Sequence, residues 1–233
     1  MQCRGLIMDG NHNVIARPFK KFFNLDEAIN QGEQLPNEDF ILTEKMDGSL
    51  GILYWDGEKP FIATRGSFVS KQAVDGTKIL REKYVAFRGD KKYTYLFEII
   101  LPWNRIVVDY KGKEDLVLLA VVETATGEQM FTEGALPFPH VRKYDGLKDV
   151  KKLKDLQDDN KEGFVIHYKS GKRYKVKFDE YVRLHRLITM VNARSIWDLL
   201  RNNQSFDELL ERVPDEFYAW VKKTKQELEL AYT

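Results

Sequence analysis

The sequence has a single cysteine, Cys3. No internal disulfide can form, and no thiol-based zinc site is available. A lone thiol suits a reducing, cytoplasmic setting. Histidine is scarce as well: His12, His140, His167 and His185 have no metal-ligand spacing. No stretch reaches the roughly 18–20 apolar residues of a membrane-spanning helix. Residues 1–13 lack an apolar run after a basic start, so no secretory leader is expected. An excess of charge of one sign is nearly absent too, since 37 Lys and Arg offset 36 Asp and Glu for a net charge of +1. That excludes coating a polyanion through bulk charge, but it leaves room for a local basic groove. Internal repeats, low-complexity stretches and a clear interdomain linker are all missing.

What is present is an ordinary globular composition, 43% apolar and 31% charged over 233 residues. That length suits one large domain, or one domain with a small appendage. Short apolar runs bounded by Gly, Asp and Asn predict strands at 7–15, turning at Asp9-Gly10-Asn11, and at 40–43, 50–55, 61–64, 93–101 and 105–110. A further strand is expected at 115–124, where residues 116–122 are apolar throughout and suit burial on both faces. Residues 163–178 read as a hairpin turning at Ser170-Gly171. Helical spacing marks 71–87, 147–156, 181–201, 206–212 and 214–231. Asn24 and Asp26 are start signals for a short helix that ends by Gly32. The expected fold class is α+β, with antiparallel sheets, flanking helices and a helical C-terminus. A soft boundary near Asp179 separates a strand-rich region, 1–178, from a short helical region, 179–233.

Lys45-x-Asp47-Gly48 sets a lysine between two strands, before a tight turn. An amine attacks phosphorus only when neutral, and free lysine titrates at about 10.4. Such a nucleophile needs cationic neighbours or desolvation; alone, the pattern is that of an exposed turn lysine. Lys175-x-Lys177 lies on a strand, where alternate residues share a face. Paired ammonium groups there would hold a phosphate and depress a nearby lysine, or would simply line a solvated edge. Glu98 and Glu162 interrupt apolar strands. That is costly for a carboxylate unless it is paired, hydrogen-bonded or metal-bound, and a wet face is the plainer reading of each. Arg65-Gly66-Ser67 offers a guanidinium, a flexible backbone and a hydroxyl, which suit phosphate or ribose. Arg17, Lys20 and Lys21 interleave with Phe19, Phe22 and Phe23, a pattern of triphosphate or nucleic-acid contact as much as of a half-buried surface.

Taken in order, Lys45-x-Asp47-Gly48, Arg65-Gly66, Phe97-Glu98, Glu162-Gly163 and Lys175-x-Lys177 resemble the covalent nucleotidyltransferase superfamily of polynucleotide ligases and RNA capping enzymes. Residues 17–24, 41–43 and 45–50, with Pro102-x-Asn104-Arg105 and Tyr181-Val182-x-Leu184-His185, resemble one branch, the ATP-dependent RNA ligases of the phage tRNA-repair type. The resemblance implies a nucleotide pocket between the sheets and a set of roles. Lys45 would take AMP from ATP. Arg17 and Lys21 would face the departing phosphates, and Arg65 would orient the nucleotide or the RNA end. Glu98 would contact the nucleoside, and Glu162 would help hold magnesium or manganese. Lys175 and Lys177 would clamp the α-phosphate, while Asp47 and Gly48, also counted among the ATP-binding residues, would shape the turn and support the metal.

Two departures stand out. Arg65 occupies a position where the branch carries lysine. The helical remainder after Lys177 is too short for the barrel domain of DNA ligases and capping enzymes, or for a large tRNA-specific domain. The implied activity is ATP-dependent joining of RNA 3′-hydroxyl and 5′-phosphate ends through a lysyl-AMP, by a cytoplasmic monomer with no membrane partner. Its rivals are a catalytically silent RNA-end-binding protein, which forms no adduct, and a DNA ligase or capping-type enzyme, separated by its choice of nucleotide and acceptor.

Overall fold

The computed structural model describes residues 4–130, 136–145, 149–190, 193–202 and 215–231. Its strands are β1 (Ile7–Met8), β2 (Val14–Ala16), β3 (Phe23–Asn24), β4 (Phe40–Lys45), β5 (Ser49–Asp56), β6 (Lys59–Thr64), β7 (Tyr93–Ile100), β8 (Asp115–Glu123), β9 (Gln129–Met130), β10 (Lys143–Tyr144), β11 (Gly163–Tyr168) and β12 (Arg173–Lys177). The helices are α1 (Leu25–Asn30), α2 (Lys71–Lys83), α3 (Asp179–Met190), α4 (Ala193–Arg201) and α5 (Asp215–Ala231). β1 and β2 form a hairpin; the other strands build two five-stranded sheets, in the orders β10-β4-β11-β12-β3 and β6-β5-β7-β8-β9. Every ladder is antiparallel except β12 with β3. The α+β expectation therefore holds.

Alternation along the strands separates core from site. In the first sheet Leu42, Phe164, Ile166, Tyr174, Val176 and Phe178 point to one side and pack with Leu25, Leu153 and Tyr181. In the second sheet Leu53, Ile62, Phe97, Ile99 and Leu116 pack under α2 against Ile79 and Leu80. Burying each such side chain contributes about 1.5–3 kcal/mol, so these two outer cores hold the sheets rigid. On the inner face of the second sheet, Ile52, Ala63 and Leu96 are covered by Ile7 and Ala16 of the β1–β2 hairpin; the rest of the inner faces is left for the site. Residues of β8 are buried on both faces, as residues 116–122 suggested. The pairing of β7 with β8 shifts register between Leu96 and Phe97, leaving Leu119 as the extra residue. A bulge of this kind re-aims a side chain, and Leu119 faces the inner cavity.

Several expectations change. Residues 105–110 form no strand; the Val107 and Val108 amides donate to the Asp47 carboxylate at 2.8 and 2.9 Å instead of joining a ladder. In place of the helix expected at 147–156, Val150–Asp155 is a 3-10 helix. The helix expected at 181–201 is two, α3 and α4, and that at 206–212 lies outside the described residues. α2 starts one turn after the β6 strand end because the Ser70 hydroxyl accepts from the Ala73 amide at 3.2 Å, and it ends at Lys83. Strands β3, β9 and β10, of two residues each, are too short for any periodicity to mark.

Candidate active site

Register turns the inner face of the first sheet into rows. Gly163 of β11 pairs with Lys45 on one side and Lys177 on the other. The next row is Thr43, Val165 and Lys175, and the one after is Ile41, His167 and Arg173. Three cations thus project from β12 at alternate positions. Gly163 has φ +143°, and a Cβ there would lie 2.0 Å from the Val176 carbonyl oxygen. Only glycine fits, and its twist carries the preceding residue, Glu162, beneath both neighbouring lysines. Glu162 Oε2 sits 2.7 Å from Lys45 Nζ, and Oε1 sits 2.9 Å from Lys177 Nζ. Glu162 as a whole is 3% exposed.

This arrangement sets the charge of Lys45. Burial pushes its pKa down, but Glu162, Glu98 and Asp47 pull it up further, and the net lies above the ordinary lysine value. Neighbouring lysines do not activate it in this state; the surrounding carboxylates keep it an ammonium. Lys175 moves the other way, lowered by burial and then by Lys177 and Lys45. Glu98, on β7 of the opposite sheet, is pushed up to about 8, chiefly by burial, against the pull of Lys45.

The turn between β4 and β5 is built around Asp47. Besides the two amides of 107–108, its carboxylate accepts from the Tyr181 hydroxyl at 2.9 Å, and its own amide donates to the Tyr110 hydroxyl at 2.8 Å. At 4% exposure the group is a buried anchor. Tyr181, at the start of α3, also lies under Lys177, whose ammonium is 4.8 Å from the ring centre. Gly48 permits β7 to pass closely, since a Cβ there would meet the Ile99 carbonyl oxygen at 2.6 Å.

Between the sheets is a cavity of about 360 Å³, the size of a small-molecule site. Of the residues singled out in the sequence, Phe19, Lys20, Lys21, Phe22, Lys45, Gly48, Arg65, Glu98 and Lys175 line it. Glu162 and Lys177 stand directly behind Lys45. Asp47 is turned into the anchor just described. Arg17 is not brought to the cavity: its guanidinium donates to the Thr124 and Ala125 carbonyls at 2.7 and 3.1 Å, tying β2 to the turn after β8. Sequence reading missed Arg4, His167 and Arg173, which also line the cavity. Arg173 was legible as the first member of an alternating Arg173-x-Lys175-x-Lys177 set. Burial lowers it to about 10, and its guanidinium lies 4.6 Å from the Phe19 ring centre and donates to Gln129. His167 is lowered to about 4 by burial and by Arg173, so its imidazole is neutral. Among the described residues, no group of three or more His, Cys, Asp or Glu side chains could hold a metal ion, and no helix is long and apolar enough to cross a membrane.

A family model described as RNA ligase matches residues 2–182, from before β1 into α3. The chain belongs to the RNA ligase family. This ligase-family chain is 28% identical over 213 residues to a Thermovibrio ammonificans protein that carries an RNA ligase name, with 83% of this chain and 56% of that one covered. It is 27% identical over 189 residues to RNA ligase 1 of bacteriophage TS2126, with 71% and 47% covered. The chain spans about half the length of the curated relatives it matches. In fold it matches a Naegleria gruberi RNA ligase variant solved with ATP and Mn, with a TM-score of 0.54 at 16% identity, over 72% of this chain and 58% of that one.

Proposed function

We propose that this chain is an ATP-dependent RNA ligase that carries AMP on Lys45 and joins a 5′-phosphate to a 3′-hydroxyl RNA end. The observation that carries this reading is the arrangement of Lys45 on the wall of a nucleotide-sized cavity, with Glu162 between it and Lys177 and Lys175 one row away. Val165, Leu119, Val141 and the neutral His167 supply a surface for a nucleobase, and Lys21, Arg65 and Lys175 supply positive charge for phosphates. The Lys45 amine, once it has given up its proton, forms a bond to the α-phosphorus while the bond to the β-phosphate oxygen breaks and pyrophosphate leaves. The adenylyl group then passes to the RNA 5′-phosphate, and the 3′-hydroxyl displaces AMP. Positioning and charge stabilisation carry most of such transfers.

A divalent cation fits this donor set. Magnesium takes one or two protein carboxylates and completes its shell with substrate phosphates and water; Glu162 and Glu98, both beside Lys45, would hold it. When bound it supplies the positive charge that lets Lys45 become neutral. The lone thiol and the family's RNA-joining relatives support a cytoplasmic RNA-repair role. Intact mass after incubation with ATP and magnesium tests the reading. A gain of one AMP on the parent, absent from Lys45→Ala, is expected. An AMP-free parent that gains nothing from ATP, GTP or either metal would replace the ligase reading with a silent RNA-end binder.

A further inference from the structure

The edge of the second sheet carries an aromatic ladder that the nucleotide site does not use. Tyr54 on β5 stands directly opposite Phe61 on β6, and their rings stack at 5.7 Å. Phe68, just beyond β6, meets Tyr54 edge-on at 5.2 Å. The Arg81 guanidinium of α2 lies 4.4 Å from the Phe61 ring centre. Arg65, which separates β6 from Phe68, lines the cavity. Leu50 also lines the cavity, and alternation along β5 puts Tyr54 on the same face. Ile52 and Ala63, between them on that face, are covered by the β1–β2 hairpin through Ile7 and Ala16. The ladder therefore meets the cavity along the sheet edge, where Phe68 follows Arg65 by three residues, with a guanidinium at each end and a strand length of about 13 Å between Phe61 and Arg65.

Packing does not account for its outer surface. Phe68 is 53% exposed and the adjacent Val69 81% exposed, so neither gains much from the core. An exposed ring on two half-buried ones, flanked by guanidinium groups, suits a stacked base and its phosphates. We propose that this ladder is the track on which single-stranded RNA leaves the cavity. The occupant is chosen by charge complementarity and by continuity with the site, and the proposal rests on the ligase reading. Asp56, which acts on Tyr54 from the outer end of β5, sets the far limit of the track, because it repels phosphate.

Binding of a 5′-phosphorylated dodecaribonucleotide, followed by fluorescence anisotropy, tests the track. Phe68→Ala and Phe68→Leu should each weaken binding about fivefold to tenfold, while Phe68→Trp retains it. Arg81→Ala should reduce the salt slope by about one counterion. A trinucleotide, too short to reach the ladder, should bind all variants equally, and lysyl-AMP formation should match the parent. If the parent forms lysyl-AMP but Phe68→Leu and Arg81→Ala bind the dodecamer as the parent does, the track is wrong and the ligase reading stands. If the parent itself neither forms the adduct nor binds RNA, the ligase reading has failed. A dimer by light scattering that Phe68→Leu dissolves would assign the surface to a second copy and overturn the proposal.

Discussion

Lys45 and Lys177 share one buried carboxylate, and at the scale of residues this sharing governs the site. Removing one partner from a buried ionic set costs about 3–5 kcal/mol because it strands the remaining charge. Glu162 therefore holds the apo arrangement together while keeping the nucleophile protonated. Adenylylation has to undo that protection, which added positive charge near Glu162 can do. Glu98 gives a test with a defined sign. Burial lets its carboxyl keep a proton up to about 8, against the ordinary 4.5. Between those values the folded state binds more protons than the unfolded one, so this group lowers stability as pH rises from 4.5 to 8. Glu98→Gln should remove that loss. Its melting temperature should exceed the parent's at pH 8 by about 2–4 °C or more and converge with it near pH 4.5. Equal melting curves across the range would show that Glu98 is not the desolvated group described here. At this scale the sequence located the neighbourhood of the site: Lys21, Lys45, Gly48, Arg65, Glu98 and Lys175 lie in the cavity wall, Glu162 and Lys177 behind Lys45, and Asp47 in the turn that carries it. Arg17 was misplaced because its partners are backbone carbonyls 107 and 108 residues away, which no local pattern encodes.

The elements explain why the lysine turn is rigid. β4 ends at Lys45 and β5 starts at Ser49, and the intervening turn is tied by Asp47 to 107–108 and to α3. Asp47→Ala strands two buried amides and a buried hydroxyl and should destabilise the fold by about 3 kcal/mol or more. Tyr181→Phe loses a single hydrogen bond and should cost about 1 kcal/mol. Because the two residues touch, a double-mutant cycle should be clearly non-additive; additive urea-midpoint shifts would sink this account. The same tie explains the failed strand expectation at 105–110. Arg105-Ile106-Val107-Val108 has the composition of a strand, but its amides are taken by a carboxylate 60 and 61 residues earlier. Tertiary hydrogen bonding overrode propensity there.

On the scale of the whole molecule, the two sheets face each other across the cavity, and the start of α3 belongs to the core of the first sheet, through Tyr181 with Val182 and Leu184 packed beside it. We propose that the working unit extends past the boundary expected near Asp179 to take in this helix. A chain ending after residue 190 should still form lysyl-AMP, and one ending after 178 should not. Equal adduct yields from the two would place the functional boundary back at 178. From the sequence alone came the ordered chemical motifs, the alternating strand faces and the α+β class, because side-chain periodicity and spacing along the chain are local properties. Only the tertiary structure decided that Glu162 bridges two lysines, that Asp47 anchors a turn, that Arg17 braces a loop, and that the exposed Phe68 joins the rings of Tyr54 and Phe61. Each depends on register between strands or on partners far apart in the chain, and register is set by how whole sheets pack rather than by any one segment.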